Sequence, residues 1–456
     1  MEMELTAKTK YSYGIGALGK DLVYAIVATY LMMYLTDDIG LNSAFVGTLF
    51  LVARFWDAIN DTVMGIIVDN TRTRFGKFRP WLLIGTLINA VVLVFLFIKP
   101  DLGETGLYVY FSVMYILWGM TYTIMDIPYW SMIPMLASDK ASREKISVVP
   151  RIFASSAWIL IGAAGIQSIN IMGGGDRILG HEMLAKVIAV IFVVTTLITC
   201  LNVKEPSTKE VTGKKAEKTT VKQALNIISG NDQLKAFIWV VLAFNLVVQL
   251  SSGMALYYFR YVSNDESLFT IFTTVGALAE IGALLVFPRL AQQFGRNKVF
   301  KFGCFMMAAG LIALLGFGYV AAGSAVLVGT GAIILKLGSG TILGSSTVML
   351  ADVVDYNETK IGTRNESVIF SCQTLLVKTA SAFAGWFIGV GLQMFGYVPN
   401  AAQSEGTIMG MRFLMMILPA VIAVLSYIVY KRLYKLNNVD ETTESYQKAP
   451  KKVTAS

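Results

Sequence analysis

The sequence predicts an all-α membrane protein with twelve transmembrane helices in two pseudo-symmetric six-helix halves. Of its 456 residues, 55% are hydrophobic and only 15% are charged, whereas about 25% are charged in ordinary soluble domains. Apolar runs of about 20 residues, the length that crosses a bilayer as a helix, recur from residue 12 to residue 431. This composition excludes a soluble enzyme and predicts that lipid surrounds most of the chain.

Twelve apolar runs follow one another along the chain. They cover residues 12–36, 43–68, 80–99, 106–136, 150–171, 183–203, 233–260, 268–290, 298–320, 325–350, 367–395 and 408–431. Strands of a membrane barrel would alternate apolar and polar residues over about ten positions, and these runs do not alternate. We therefore predict twelve helices.

The positions of the basic residues predict the orientation. Most of the 38 Lys and Arg residues fall in alternate connections and near the two termini. Cytoplasmic loops are enriched in these residues, so both termini are predicted to be cytoplasmic. The net charge of +8 then reflects topology, and no nucleic acid partner is expected because the basic residues form no continuous stripe.

A long polar stretch divides the chain. We predict an N-terminal half over residues 1–203, a cytoplasmic central loop over 204–232, a C-terminal half over 233–431 and a disordered cytoplasmic tail over 432–456. A weak internal repeat supports the two halves, because TRTRFGKFRP follows the second span and QQFGRNKVFKFG follows the eighth. Each of these loops could instead be only a tight turn.

Ionisable residues in the second span predict a cation site. A charge at the centre of a membrane helix costs roughly 2.5–3.5 kcal/mol, so it calls for a partner or a function. Asp57, Asn60 and Asp61 are three and four residues apart and share one side of a helix. Two close carboxylates repel unless a cation or proton lies between them, and oxygen ligands suit small hard cations. Thr123 in the fourth span can direct its hydroxyl toward them. Alternatively, Arg54 only neutralises Asp57.

The first and fourth spans carry a second polar group. Lys20 and Asp21 lie inside the first span, while Tyr122, Asp126 and Trp130 recur every four residues in the fourth. The latter form a stripe of an aromatic ring, a carboxylate and an indole. Sugars have apolar C–H faces and polar rims, so this stripe suits a sugar. Trp130 alone could also serve packing or the membrane interface.

The second half contains fewer buried charges. Lys378 lies one turn from Thr374 and five residues from Gln373, and we interpret it as a mobile counter-charge for the aspartates of the first half. Alternatively, Lys378 extends its ammonium group toward the membrane boundary. The same behaviour is expected of Lys336, to which we assign no function.

The remaining motifs predict neither an enzyme nor a cofactor. GSGTILG at 338–344 suits a helix-packing seam and lacks the strand-turn-helix setting of a nucleotide site. His181, the only histidine, is predicted in an external loop, and the three cysteines lack metal-ligand spacing. We find no Ser-His-Asp set, P-loop or HExxH pattern, and the tail is too short for the signalling domain of a sensor.

Several ungapped strings of this chain are specific enough to compare with known families. They are YSYGIGALGKD, VGTLFLVARFWDAIND, TRTRFGKFRPWLLIGTL, YILWGMTYTIMDIPYWS, GYVPNAAQS, ADVVDY and ESVIFSCQTLLVK. These strings resemble the glycoside–pentoside–hexuronide:cation symporters of the major facilitator superfamily. The resemblance covers about residues 8–435 and is strongest to the bacterial melibiose carriers.

The resemblance implies a major facilitator fold whose two halves rock about a midplane site, giving alternating access. It implies that Na⁺, Li⁺ or H⁺ binds at Asp57, Asn60, Asp61 and Thr123. It also implies a sugar site composed of Lys20, Asp21, Tyr122, Asp126, Trp130, Arg151, Gln373, Thr374 and Lys378. The assignment of Arg151 rests on the resemblance alone.

On this basis we predict a monomeric symporter of a bacterial cytoplasmic membrane, which imports a small glycoside with a cation. A galactoside such as melibiose is the expected sugar. The alternatives are another glycoside, a pentoside, a hexuronide or, in a relative of the same fold, an amphipathic lipid, which the many charges of the first half disfavour.

One position departs from the melibiose carriers. They have a tryptophan in the tenth span where this chain has Leu343, so an aromatic wall of the sugar site is predicted to be missing. Gly344, Ser345 and Ser346 are expected to leave room for an indole at this position.

Overall fold

The computed structural model describes residues 6–71, 73, 75–136, 140–203, 230–361 and 366–436. Most of the predicted central loop and the tail from residue 437 onward therefore lie outside the described residues. Thr374 lies in a described helix, but its side chain is outside the described part.

Helices make up nearly all of the described chain. They are α1 (Ala7–Met33, continued by a π-helical turn at Tyr34–Asp38), α2 (Ser43–Asn70), α3 (Arg79–Leu96), α4 (Glu104–Ser131), α5 (Ile133–Leu136), α6 (Lys140–Gly173), α7 (Arg177–Asn202), α8 (Asp232–Tyr261), α9 (Ser267–Phe294), α10 (Arg296–Val320), α11 (Ala325–Ile361), α12 (Glu366–Met394), α13 (Glu405–Arg412, followed by a π-helical turn at Phe413–Ile417) and α14 (Leu418–Leu433).

Eleven helical segments of the described chain are long and apolar enough to cross a membrane. The twelfth predicted span is α2, whose 28 residues extend about 42 Å at 1.5 Å per residue, more than a bilayer core of about 30 Å. Arg54, Asp57 and Asp61 lower its hydropathy. The long helix that falls outside the eleven apolar segments is therefore the one that carries the predicted cation site.

Several helices extend beyond the apolar runs that predicted them. The tenth span was predicted over 325–350, but α11 continues to Ile361, and the fifth was predicted over 150–171, but α6 begins at Lys140. These extra turns are polar. Hydropathy reports which residues contact lipid, whereas helical hydrogen bonding continues past the bilayer.

The chain forms two compact units. The first contains residues 1–214, 256–274 and 385–410, and the second contains 215–255, 275–384 and 411–456, in each case as far as they are described. The division into two six-helix halves around residues 204–232 stays a prediction.

In the first unit, α1 lies very close to α7. A side chain at Gly16 or Gly19 would collide with Thr199 or Thr195 of α7. The Thr199 hydroxyl also donates to the Ser12 carbonyl over 2.8 Å. The glycines of YSYGIGALGKD therefore fix the position of α1 immediately before Lys20.

A pair of tyrosines joins α1 to α4. The hydroxyl of Tyr13 donates to the carbonyl of Tyr129, and the hydroxyl of Tyr129 donates to the carbonyl of Tyr13, both over 2.5 Å. The two rings stack with centroids 4.5 Å apart. This contact holds Lys20, two turns along α1, beside α4.

The end of the first unit remote from the N-terminus is held by a polar network. Asp37, at the π-helical turn, accepts hydrogen bonds from the hydroxyls of Tyr261 and Tyr397. Burial raises the pKa of Tyr397, which follows the eleventh span, so its hydroxyl keeps the proton that it donates. Arg177 binds Glu266 over 2.9 Å. These contacts attach the segments 256–274 and 385–410 to the first six spans.

The prediction that His181 lies in a loop was wrong. The Asp176 carboxylate caps α7 by accepting hydrogen bonds from the backbone N–H groups of residues 178 and 179. The helix therefore begins at Arg177. His181 is buried, with its ring stacked on that of Phe97 and 5.0 Å from that of Tyr34.

Each loop of the predicted internal repeat contains a glycine with a positive φ. Gly76 in the first copy has φ 109° and Gly295 in the second has φ 81°, a left-handed region in which glycine is favoured. Each glycine follows a phenylalanine and precedes a basic residue. The connections themselves differ, because residues 71–78 separate α2 from α3 whereas Gly295 alone separates α9 from α10. The internal repeat therefore stays a prediction.

Candidate functional site

Lys20 is the centre of a buried ion cluster in the first unit. Its ammonium group lies 3.0 Å from Asp21 on the same helix and 2.8 Å from Asp126 on α4. It also donates to the Tyr122 hydroxyl over 3.4 Å. Only 3% of Lys20 is exposed. The two carboxylates therefore compensate the free-energy cost of burying its charge.

The predicted stripe on α4 surrounds this ammonium group. The Trp130 indole N–H donates to Asp126 over 3.1 Å, and the Lys20 ammonium lies 5.0 Å from the Trp130 ring centroid and 5.8 Å from that of Tyr122. These are cation–π distances. The structure therefore brings together five of the nine residues implied for the sugar site: Lys20, Asp21, Tyr122, Asp126 and Trp130.

The carboxylates of α2 face α4 one turn from this cluster. Arg54 binds one oxygen of Asp57 over 2.9 Å, so the salt bridge considered as the alternative is present. The other oxygen of Asp57 lies where a side chain at Gly119 would be, 2.8 Å from the hypothetical Cβ. The missing side chain at Gly119 therefore allows Asp57 to approach α4.

Asp61 and Asn60 also contact α4. The Thr123 hydroxyl donates to Asp61 over 2.9 Å, and the Asn60 amide donates to the carbonyl of Met120 over 3.5 Å. The four residues of the predicted cation site thus meet at one α2–α4 contact. All of them can offer oxygen atoms, the ligand type that small hard cations prefer.

The two clusters have the same balance of charge. Each contains one basic and two acidic side chains, Lys20 with Asp21 and Asp126 in one and Arg54 with Asp57 and Asp61 in the other. Each set carries a formal charge of −1. A single monovalent cation would neutralise the α2 cluster, where the two carboxylates would otherwise repel one another.

Tyr24 connects the clusters, and sequence reasoning missed it. Arg54 donates to the Tyr24 hydroxyl over 3.3 Å, while the Tyr24 ring lies 5.6 Å from that of Tyr122. The signal was present, because Tyr24 follows Lys20 by one helical turn and shares its face. Trp118 extends the α4 stripe one turn upstream in the same way but is fully packed, with 2% exposed.

The other implied sugar residues are not part of this cluster. Arg151 is exposed on α6, and no hydrogen bond or ion pair among the described residues joins it to the cluster around Lys20. Gln373 and Lys378 are partly exposed on α12 of the second unit, and the side chain of Thr374 is outside the described part. The functions of these four residues stay predictions.

The interpretation of Lys336 as a boundary lysine was wrong. Its ammonium group pairs with Glu280 of α9 over 3.0 Å, and both side chains are largely buried. Gly276 leaves the space in which the Lys336 stem lies. Because Glu280 stands alone in an apolar run, hydropathy does not indicate that it pairs with Lys336.

We expect removal of one partner of this pair to destabilise the protein. Lys336→Met leaves the Glu280 carboxylate without its cation and should lower the free energy of unfolding by about 1–3 kcal/mol. The double variant Lys336→Met/Glu280→Gln should recover more than half of that loss. Thermal unfolding of the purified proteins measures both effects, and additive losses would show that the two charges do not interact.

The expectation that the residues after Leu343 leave room for an indole was also wrong. The ring of Phe287 occupies the space beside Gly344, 2.6 Å from where a Cβ would be. Ser345 and Ser346 are buried. Small residues here serve close helix packing, as Gly338 and Gly340 do against α10 and α9.

Fold and site together define a class of protein. Its apolar helices make the chain an integral multi-pass membrane protein. Charged side chains that are paired between helices at membrane depth are typical of secondary transporters, which bind ions and substrates there.

Comparison with known proteins identifies the family. The sequence profile of "MFS/sugar transport protein" matches residues 12–438, and the chain belongs to this family, the glycoside–pentoside–hexuronide:cation symporters. It is a transporter and not an enzyme.

Similar proteins cover nearly the whole chain. The putative glycoside/cation symporter YagG of Escherichia coli K12 is 30% identical over 95% of this chain and 93% of its own length. The isoprimeverose transporter of Lactiplantibacillus pentosus is 31% identical over 87% of this chain and 82% of its own length. A crystal structure of a bacterial homologue of the human lysosomal transporter Spinster has a TM-score of 0.71 at 12% identity, covering 96% of this chain and 97% of the other. The last likeness concerns the fold alone.

Proposed function

We propose that this protein is a symporter that imports a small glycoside together with Na⁺, Li⁺ or H⁺, and that the glycoside is a galactoside such as melibiose. The observation that carries the proposal is the pair of ion clusters held by α4, one aromatic and one rich in oxygen ligands. The two similar proteins, one described as a putative glycoside/cation symporter and the other as an isoprimeverose transporter, support the same substrate class.

The cation is assigned to Asp57, Asn60, Asp61 and Thr123. In the structure, Arg54 compensates one carboxylate and the Thr123 hydroxyl binds the other. An incoming cation takes oxygen ligands from both aspartates, and its charge relieves their repulsion. A proton could fill the same role by neutralising one carboxyl group.

The sugar is assigned to Lys20, Asp21, Tyr122, Asp126 and Trp130, with Arg151 on α6 and with Gln373, Thr374 and Lys378 contributed by the second half. The carboxylates accept hydrogen bonds from sugar hydroxyls, and the Lys20 ammonium donates them. The indole of Trp130, oriented by its bond to Asp126, packs against an apolar C–H face of the sugar.

Coupling follows from the neighbouring positions of the two sites. Tyr122 contacts Lys20 and the next residue, Thr123, contacts Asp61, so a cation that orders this turn of α4 also orders one wall of the sugar site. The resulting free-energy coupling is reciprocal. A membrane potential of 100 mV supplies about 2.3 kcal/mol per charge, so one cation per sugar supports roughly 50-fold accumulation.

We place the protein in a bacterial cytoplasmic membrane, as a monomer with both termini in the cytoplasm. The distribution of Lys and Arg supports this orientation.

Uptake into proteoliposomes tests the proposed function. The purified protein is reconstituted and given radiolabelled melibiose, lactose, a xyloside or a glucuronide, each with an inward gradient of Na⁺, Li⁺ or H⁺. We expect at least one glycoside to accumulate above equilibrium only with a cation gradient. Asp101→Asn, an exposed loop substitution, should leave uptake unchanged. Equal uptake with and without every gradient would contradict symport, and uptake of none of the sugars would contradict glycoside transport.

A further inference from the structure

Trp158 on α6 has a position in the membrane that packing does not explain. It lies ten residues after Val148, where the apolar part of α6 begins, or about 15 Å along the helix. This is about half the depth of a bilayer core of about 30 Å. Tryptophans that anchor a helix at the membrane interface lie at the ends of spans, so Trp158 is not one of them.

The face of α6 that carries Trp158 is polar. Arg151, Ser155 and Trp158 recur at intervals of four and three residues, share one side of the helix, and are all exposed. Ala157, on another side of the helix, is buried. An arginine in a membrane helix faces water or protein and not the lipid tails, so the exposed indole belongs to a hydrated surface.

Trp158 also lies beside Tyr24, the residue that connects the two ion clusters. Its ring is 6.0 Å from that of Tyr24 at an angle of 56°, and Tyr24 follows Asp21 by three residues on the same side of α1. Trp158 remains 42% exposed, whereas Trp118, another indole beside Tyr24, is packed on all sides. One face of the Trp158 ring is therefore open to a ligand that reaches Asp21.

We propose that Trp158 is a sugar-stacking residue that determines substrate specificity in this transporter. This inference rests on the proposed function. The indole packs on the apolar C–H face of a pyranoside while Asp21 on α1 accepts hydrogen bonds from the hydroxyl rim. Trp158 thereby supplies an aromatic wall in a protein whose tenth span has Leu343 in place of a tryptophan.

Sugar titrations of three full-length variants test this assignment. The ligand is the glycoside with the highest uptake in the panel, and the cation is saturating. Trp158→Ala should weaken sugar binding about tenfold, and Trp158→Phe, which keeps an aromatic ring, should weaken it by less than threefold. Trp239→Ala provides the control, because Trp239 is similarly exposed on α8 and should have no effect. Cation affinity without sugar should be unchanged in all three.

Two results would overturn the inference while leaving the proposed function intact. One is unchanged sugar affinity in Trp158→Ala when Asp126→Ala abolishes binding. The other is a parallel loss of sugar and cation affinity in both Trp158 variants, which would indicate a structural contribution. Failure of the unmodified protein to bind any glycoside would reject the proposed function and this inference with it.

Discussion

Replacing Asp126 with alanine is expected to abolish glycoside binding. Asp126 pairs with the Lys20 ammonium group and accepts a hydrogen bond from the Trp130 indole. Its removal leaves a buried lysine with one carboxylate fewer and frees the indole from its fixed orientation. Water cannot restore these contacts in a largely enclosed site. Isothermal titration at saturating cation should detect no sugar binding, a loss of at least 100-fold.

The α2 cluster provides the internal control for this variant. Cation binding should persist in Asp126→Ala, although weakened, because Asp57 and Asp61 are untouched. Asp126→Asn keeps an acceptor oxygen and should retain more affinity than the alanine variant. Sugar affinity at the level of the unmodified protein in Asp126→Ala would contradict the assignment of the α4 stripe.

Replacing Asp61 with cysteine should remove the effect of the cation while leaving sugar binding detectable. The cation loses one carboxylate ligand and Thr123 loses its acceptor, whereas Asp21 and Asp126 remain in place. Sugar titrations with and without Na⁺, Li⁺ and a pH step measure the stimulation. We expect the stimulation factor to fall to about one.

Two substitutions at Thr123 separate loss of a ligand from general disturbance of α4. Thr123→Ser keeps the hydroxyl and should preserve most of the stimulation, while Thr123→Val removes it at equal volume and should weaken cation binding. If sodium still raised the sugar affinity of Asp61→Cys by the original factor, the cation site would lie elsewhere.

Much of the fold could be predicted because lipid imposes a simple constraint. Backbone groups inside a bilayer must be satisfied within the segment, so long apolar runs are helices. The same constraint made the charges informative. Asp57, Asp61 and Asp126 stand out in apolar sequence. In the structure, Asp57 binds Arg54 on its own helix, whereas Asp61 and Asp126 bind partners on neighbouring helices.

Aromatic residues that lie beside the ion clusters could not be recognised from hydropathy. Tyr24 and Trp158 look like ordinary span residues, and only the packing of α1, α4 and α6 brings them to the ion cluster. The Lys336–Glu280 pair required knowledge of which helices are neighbours.

Helix capping explains why the position of His181 was predicted wrongly. Asp176 in GGGDR is a strong helix start, and it places His181 in α7 where hydropathy predicted a loop. The space near Leu343 was misjudged for a different reason. A small residue allows a neighbouring side chain to approach the helix closely. The sequence alone does not show that the ring of Phe287 is the neighbour that fills the space at Gly344.

The claim that one element of the fold couples the cation to the sugar is tested most directly by measuring both affinities, each with and without the other ligand. If Tyr122 and Thr123 on α4 connect the two sites, the cation should raise sugar affinity by about 5- to 150-fold, and sugar should raise cation affinity by the same factor. The Asp61→Cys variant should show a factor near one. Sugar affinity that is identical with and without each of Na⁺, Li⁺ and H⁺ would contradict the account.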